Sequence, residues 1–410
     1  MRILFISNFY PPYELGGWEQ NCHEVVEHLQ ARGHQCHVLT SRHGVDGRSA
    51  TEPGITRALY LQADIYHYRP LDFFLRRPGQ ERANLKALRT TVEAFRPDVV
   101  FIWGMWNLSL QVAYWAEQGL PGRVAYAVAG YWFIEPDPHE AYWQSMDGRT
   151  VAQVLLRPAR WWALRRLAQD RAAFPLQLQH VACVSHYVRH KLSQAGVLPH
   201  GARVIYNGID PAPFLAAAER RQPSENLRLV YTGGLLPHKG VHTAIEALGK
   251  LKRAGQINGL TLALVGPGHP DYQAHLQARI EALGLDGHVA FRGRVPRSEI
   301  PAVLADHDVF LFTSIYEEPI ARTVQEAMAA GLAVVATPVG GQAEMLEDGV
   351  NALVFPPDDP ERLAQCVLRL RQDRELRQQL AAAGQRTVLE RFTLRRMVDE
   401  FEAWLAEIVG

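Results

Sequence analysis

The chain has 410 residues, 47% apolar and 21% charged, with 43 Lys and Arg against 43 Asp and Glu. That length is too great for one ordinary core and sets two domains as the expectation. The balanced charge gives no electrostatic argument for nucleic acid as a partner. The four cysteines (Cys22, Cys36, Cys183 and Cys366) lie far apart with no C-x-x-C pair, which suits a reducing cytoplasm better than a secreted disulfide scaffold.

In chain order, "RILFIS" reads as a buried parallel strand. It turns apolar at once and meets two prolines too early for a signal peptide. A Pro/Gly loop, the helix "EQNCHEVVEHLQARG" and the strand "HQCHVLTS" complete a βαβ unit. From Val99 to Ala116, "VVFIWGMWNLSLQVAYWA" carries no charge. Asn107, Ser109 and its broken segments make it a buried strand, a loop and a helix start rather than a membrane span. "RVAYAVAG" and "HVACVS" are further strands. The pattern breaks at "VIYNGIDPAPFLAAAERRQPSENLR", where Asn-Gly, prolines and a polar run mark a boundary. Strands "LRLVYTGGL", "LTLALVG", "HVAFRG", "VFLFTS", "LAVVAT" and "NALVF" then alternate with helices "GVHTAIEALGKLKRAG" and "YQAHLQARIEALG". Two amphipathic helices, "PERLAQCVLRLRQ" and "TLRRMVDEFEAWLAEIVG", close the chain. This grammar predicts two doubly wound α/β domains, residues 1–203 and 204–390, followed by a terminal helix over 391–410.

In such sheets ligands collect at the carboxyl ends of the strands, so the loops there are read for chemistry. "YPPYELGGWEQ" places Gly16 and Gly17 before a helix, where bare N–H groups can approach an anion. Its spacing is not G-x-G-x-x-G. "YTGGLLPHKGVHTAIEAL" places Lys239 and Gly240 at a helix entrance. "TSIYEEPIARTVQEAMAAG" holds Glu318 in a loop before Pro319, then a helix starting near Ala321 to Thr323 with Glu326 in its second turn. Its N–H groups point toward the loop, as an anionic ligand needs. "TPVGGQAEMLEDG" repeats the glycine pair at Gly340 and Gly341.

Five segments in order resemble the family-4 retaining glycosyltransferases of the GT-B fold: "YPPYELGG", "VIYNGIDPAPF", "GGLLPHKGV", "EEPIARTVQEAMAAG" and "GGQAEMLEDGVNALVFPPDDPERLA". The resemblance covers nearly the whole chain. It implies two Rossmann-like domains facing across a cleft, the last helix crossing back onto the first domain, and a nucleotide-diphosphate sugar as donor. It also implies roles. Glu318 would face the sugar hydroxyls, and Glu326 would bind the ribose. The backbone of Ile320, Ala321 and Arg322, with Thr323 beside them, would face sugar or diphosphate. Lys239 would hold the diphosphate, and the backbone at Arg294 and Val295 would meet the base. Gly16, Gly17 and Gly234 would line the donor site.

The chain departs from the family pattern in three places. Gly234 stands where an arginine is usual, leaving Arg322 or Arg294 to supply the charge. Ile320 and Ala321 replace the common Phe-Gly. Ala129 and Gly130 stand where many members carry a histidine, so the polar group there would come from Glu135, Asp137 or His139, with Trp132, Tyr142 and Trp143 able to stack on a sugar.

"DHD" at 306–308 precedes its strand, the wrong end for a metal-binding D-x-D, and reads as structural. His186 and His190 in "HYVRH" have no third ligand near in sequence, so no metal or cofactor is expected. "RPARWWALRRLAQDR" sets Arg157, Arg160, Arg165, Arg166 and Arg171 around Trp161 and Trp162 with one acid, Asp170. The simpler reading is an interdomain helix with solvated arginines and packed tryptophans. The alternative is a membrane surface or a lipid diphosphate acceptor. The expected function is a cytoplasmic, metal-independent, retaining glycosyltransferase acting on a glycan or lipid-linked acceptor, with peripheral contact at the inner membrane face through 157–171 as an option. The alternatives are a nucleotide-sugar epimerase or hydrolase, or an inactive sugar-nucleotide-binding protein.

Overall fold

The computed structural model describes residues 1–13, 16–45, 50–65, 67–146, 150–221 and 224–410. Glu14 and Leu15 of the first glycine loop, and Gln222 and Pro223 of the boundary stretch, lie outside them. Backbone proximity divides the chain into two compact units. One comprises Met1–Val184, Val188–Ile205 and Val398–Gly410, the other Ser185–Tyr187 and Tyr206–Met397.

The first unit is built on eight strands: β1 (Arg2–Ser7), β2 (Gln35–Ser41), β3 (Ala50–Glu52), β4 (Ile55–Leu59), β5 (Val99–Gly104), β6 (Val124–Val128), β7 (His180–Cys183) and β8 (Arg203–Val204). Their order is β3-β4-β2-β1-β5-β6-β7-β8, parallel except for the antiparallel β3–β4 pair. Strands β1, β5 and β6 are apolar along almost their whole length because helices cover both faces of a parallel sheet. The stretch from Val99 resolves as predicted into strand β5, a loop and the helix Leu110–Gly119, whose cap Ser109 accepts from the N–H of Gln111.

The second unit has six strands: β9 (Leu227–Thr232), β10 (Leu260–Val265), β11 (Val289–Gly293), β12 (Val309–Phe312), β13 (Ala333–Ala336) and β14 (Leu353–Val354). They run parallel in the order β11-β10-β9-β12-β13-β14. The chain winds outward from β9 to β11, returns to place β12 on the other side of β9, and winds outward again. That reversal between β9 and β12 is the topological switch point, where ligands of open α/β sheets bind. The first sheet reverses in the same way between β1 and β5.

The final helix, Leu394–Val409, begins in the second unit and from Val398 onward belongs to the first. There Phe401 packs 5.2 Å from Phe101 and 5.4 Å from Trp103, ring centre to ring centre. Arg32 pairs with Asp399 at 2.6 Å and His34 with Glu402 at 2.6 Å. The return of the terminal helix to the first domain is therefore held by aromatic packing and ion pairs, not by sequence proximity.

Candidate active site

Lys239 and Glu318 stand on the two sides of the β9/β12 switch point, one in the loop after each strand. Their side chains form an ion pair. Lys239 ends a single 3₁₀ turn, Pro237–Lys239, and Gly240 follows with φ 63°. A Cβ at Gly240 would lie 2.1 Å from the carbonyl oxygen of Thr313, so only glycine lets the two loops approach. Thr313 Oγ1 donates to the Lys239 carbonyl at 2.8 Å, and the Ile315 N–H donates to the His238 carbonyl at 3.0 Å. Burial, with the adjacent Lys239 cation, holds the His238 pKa below its usual value and keeps the ring neutral at pH 7.

Glu318 is 8% exposed. Besides Lys239, its Oε1 accepts from Ser314 Oγ at 2.9 Å. The glycine pair at 340–341 shapes this loop from behind. The Gly341 N–H donates to the Glu318 carbonyl at 2.8 Å. A Cβ at Gly341 would fall 1.7 Å from the Pro319 carbonyl, and one at Gly340, where φ is 60°, 2.4 Å from that of Glu318. The second glycine pair thus serves as a backbone cradle for the Glu318 loop.

The helix Arg322–Ala329 starts where the sequence reading placed it, after Ala321 in an extended conformation, and carries Glu326 in its second turn. Gly331 at φ 69° ends it, and Arg221 donates to the carbonyls of Ala330 and Gly331 at 2.6 and 2.7 Å. Glu326 Oε1 accepts from Arg322 Nε at 3.0 Å and from Arg297 Nη2 at 2.9 Å. Arg322, expected as a substitute diphosphate cation, is therefore engaged with Glu326. Gln342 Oε1 accepts the Ala321 N–H at 2.9 Å, so that donor of the helix start already has a partner. Ile320 is buried, and Thr323 lies in the first turn. Arg294 follows β11 in the open, with Val295 packed against the cluster that contains Ile320. Gly234 accepts from the Tyr231 hydroxyl at 3.0 Å, and a Cβ there would make only ordinary contact with Leu236.

The sequence reading missed Arg297, Ser314 and Gln342 as members of this site. Arg297 was legible only as a residue four beyond the strand "HVAFRG". Ser314 and Gln342 look like ordinary loop polars until the fold aims them at Glu318 and Ala321.

In the first unit, Gly16 and Gly17 sit at the start of the helix Gly17–Ala31, after β1. The Gly16 N–H donates to Glu19 Oε2 at 2.9 Å, so it caps its own helix. Trp18 stacks on Trp103 at 4.4 Å, each indole N–H donating to the other's carbonyl, which fixes this loop against β5. Trp132, Glu135 and Asp137 line a cavity of about 350 Å³ together with Trp106, Asn107 and Arg171. Asp137 Oδ1 also caps the helix Pro138–Ser145 through the Glu140 N–H at 2.9 Å. His139 departs from expectation. It is 1% exposed, edge-on to Phe73 at 4.9 Å and 2.8 Å from the Tyr68 hydroxyl. Burial and the nearby Arg77 push its pKa down to about 3, so it is a neutral core residue rather than a group presented to a ligand.

Asp308 of "DHD" lies at the amino end of β12 and grips Arg228 at 3.0 and 3.1 Å, clamping the start of β12 to the start of β9. That is the end of the sheet away from Lys239 and Glu318, and the motif is structural. Among the described residues no group of three His, Cys, Asp or Glu gathers in metal-binding array.

Two family profiles match end to end: Glycosyltransferase Family 4 over residues 15–213 and Glycosyl transferases group 1 over residues 216–387. The glycogen synthase of Mycobacterium tuberculosis is 27% identical over 408 residues, 96% of this chain and 91% of that protein. A GDP-mannose-dependent alpha-(1-6)-phosphatidylinositol monomannoside mannosyltransferase of the same organism is 30% identical over 221 residues, 51% of this chain and 56% of that one. HepE of Anabaena, solved in complex with UDP-glucose, superimposes with a TM-score of 0.68 at 22% identity, covering 99% of each chain. The chain belongs to the family-4 glycosyltransferases (glycosyl transferases group 1), retaining and metal-independent enzymes of the GT-B fold that take their sugar from a nucleotide sugar.

Proposed function

We propose that this protein transfers a glycosyl unit, with retention at the anomeric carbon, to a glycan or lipid-linked acceptor in polysaccharide or glycoconjugate assembly. The observation that carries the reading is the meeting of Lys239 and Glu318 at the β9/β12 switch point. Breaking the bond from the anomeric carbon to the diphosphate leaves negative charge on the phosphate and an oxocarbenium-like sugar. A fixed ammonium at the phosphate answers the first change, and a buried carboxylate that accepts sugar hydroxyls orients the second. The acceptor hydroxyl forms its new bond to that carbon on the face the diphosphate leaves, and its proton passes to a leaving phosphate oxygen. Glu326, backed by Arg297 and Arg322, presents a carboxylate suited to the two ribose hydroxyls.

The cavity lined by Trp132, Glu135 and Asp137 supports an acceptor site in the first unit, with aromatic faces for a sugar and carboxylates for its hydroxyls. The names of the two mycobacterial relatives support a glycan or lipid-linked acceptor. A cytoplasmic setting is supported by four free, buried cysteines.

Glu318→Gln tests the reading. Calorimetric titration with bare nucleoside diphosphate should match wild type, while kcat/KM for transfer from UDP-glucose or GDP-mannose falls at least a hundredfold, the scale of one lost transition-state contact. Equal loss of nucleotide binding would mean that Glu318 does not face the sugar. Release of free sugar at the same rate without acceptor would identify a hydrolase instead.

A further inference from the structure

We propose that the helices Pro70–Leu75 and Arg157–Ala173, with residues 154–156, form a docking face for an anionic lipid bilayer. The proposal is independent of the transfer reaction and rests on what these helices leave uncovered. Fourteen large apolar side chains are exposed among the described residues, and seven of them fall here: Leu71, Leu75, Val154, Leu155, Leu156, Trp161 and Trp162. Leu75 is 77% exposed, Leu155 75% and Trp161 61%.

These residues sit on elements that pack side by side. The long helix buries Ala163 and Leu167 against Phe73 of the short helix and Trp143. Phe74 and Phe73 meet Trp162 at 5.4 and 6.4 Å, which places the two helices side by side. On the inner side, Arg77 pairs with Asp170 at 2.8 Å and Arg160 Nε donates to the Trp143 carbonyl at 2.7 Å. The helix is thus anchored by one face, with Trp162 half-exposed at the edge of that face and Trp161 61% exposed beyond it. The packed tryptophans of the simpler reading are met only in part: Trp162 meets Phe74 and Phe73, while Trp161 stays largely exposed.

Charge selects the occupant. Arg157, Trp161 and Arg165 follow one another at four-residue spacing, so they share a stripe. The Arg165 guanidinium carbon lies 5.1 Å from the centre of the Trp161 ring. Among the described residues, Arg157 and Arg165 make no ion pair, and both are exposed. Tryptophans and leucines among unpaired arginines match the headgroup region of a bilayer, where indoles sit at the boundary and guanidinium groups reach anionic lipids. No helix among the described residues is long and apolar enough to cross a membrane, so this face would lie on the surface.

Sedimentation of the full chain with vesicles tests the proposal. Wild type should bind phosphatidylcholine vesicles containing phosphatidylglycerol at low salt, and should bind pure phosphatidylcholine far more weakly. At about fivefold per arginine, Arg157→Gln with Arg165→Gln should lower the partition constant roughly thirtyfold. Trp161→Ala with Trp162→Ala should lower it more than about tenfold, since each indole removes a large interfacial contact. The melting temperature of the arginine double variant should match wild type, and that of the tryptophan double variant should fall only slightly, since Trp162 touches Phe73 and Phe74 at the edge of the core. Wild-type protein that does not sediment with phosphatidylglycerol vesicles at low salt overturns the proposal. So does a dimer that dissociates on Trp161→Ala with Trp162→Ala while vesicle binding is absent, which assigns the face to a second copy. Unchanged partitioning in both double variants also overturns it.

Discussion

Glu326→Ala should weaken nucleotide binding and destabilise the second unit together. Glu326 and Arg322 have side chains only 5% and 8% exposed, whereas Arg297 is 42% exposed. Removing the carboxylate takes one anionic partner from each of two guanidiniums. Arg297 can turn into water; Arg322 cannot. Breaking a buried pair by deleting one partner costs about 3–5 kcal/mol, and with one of the two arginines free to resolvate the lower end, about 3 kcal/mol, is expected. For a domain of this size that corresponds to a fall of roughly 6–12 °C in Tm. Scanning calorimetry of the full chain would follow the transition of the second unit, and titration with UDP and GDP would follow the ribose contact. Adding Arg322→Met to Glu326→Ala should recover part of the lost stability, because it removes a buried charge that has lost one of its carboxylates. A Tm within about 2 °C of wild type would refute the argument that Arg322 depends on this carboxylate. A large fall in Tm with unchanged nucleotide affinity would make Glu326 a clamp for the two arginines and end its role as a ribose ligand.

Lys239→Ala should alter the fold far less than it alters turnover, raising the transfer barrier by about 2.7–4 kcal/mol, a loss of 10²–10³ in kcat, since the cation acts where leaving-group charge develops. Steady-state kinetics within threefold of wild type would remove it from the mechanism. Gly234→Arg should be tolerated, because a Cβ there meets only the Leu236 side chain at 3.5 Å. It should tighten binding of a nucleoside diphosphate severalfold by adding a second cation, and calorimetry showing no gain would place the side chain away from the phosphates. His139 should weaken the fold in acid. Its folded pKa of about 3 lies below its ordinary 6.5, so the unfolded chain holds more protons between these values. Stability is full above pH 6.5 and drains as the pH falls through that window. His139→Phe should flatten the decline of the first unit's Tm between pH 7 and 4, and an unchanged slope would shift the cause to another group.

Much of the fold was legible because parallel strands buried on both faces announce themselves as unbroken apolar runs, as in "RILFIS" and "LTLALV". The helix "PERLAQCVLRLRQ" was legible to the residue, since Pro360 follows the cap Asp359 and an apolar stripe runs to its end. Other elements hid. Strand β4 carries Arg57, 1% exposed, whose guanidinium donates to the Tyr10 and Pro11 carbonyls and pairs with Glu52. A buried arginine breaks the alternation that marks a strand, and its partners lie up to 47 residues away. The helix Arg77–Phe95 buries Arg77, Asn84, Leu88 and Thr91, too mixed a face to read as a stripe. Helix Arg374–Arg391 buries Gly384, whose missing side chain admits Met328.

In the candidate site, local chemistry named Lys239, Glu318 and Glu326 as groups that could meet an anionic ligand, because Gly240 and Pro319 set the backbone within a few residues of each. What those groups touch was another matter. Lys239 reaches Glu318 across 79 positions, Arg297 reaches Glu326 across 29, and Gln342 reaches Ala321 across 21. Such pairings depend on which strands lie side by side, and β12 lies beside β9 only after the chain has wound out to β11 and back. A glycine pair likewise reads the same at 16–17 and at 340–341, yet one caps its own helix and the other cradles a loop from a different strand. Backbone preference is local and short-ranged, so it is written in the residues nearby. Contact between side chains is a property of strand order, which no short window of sequence contains.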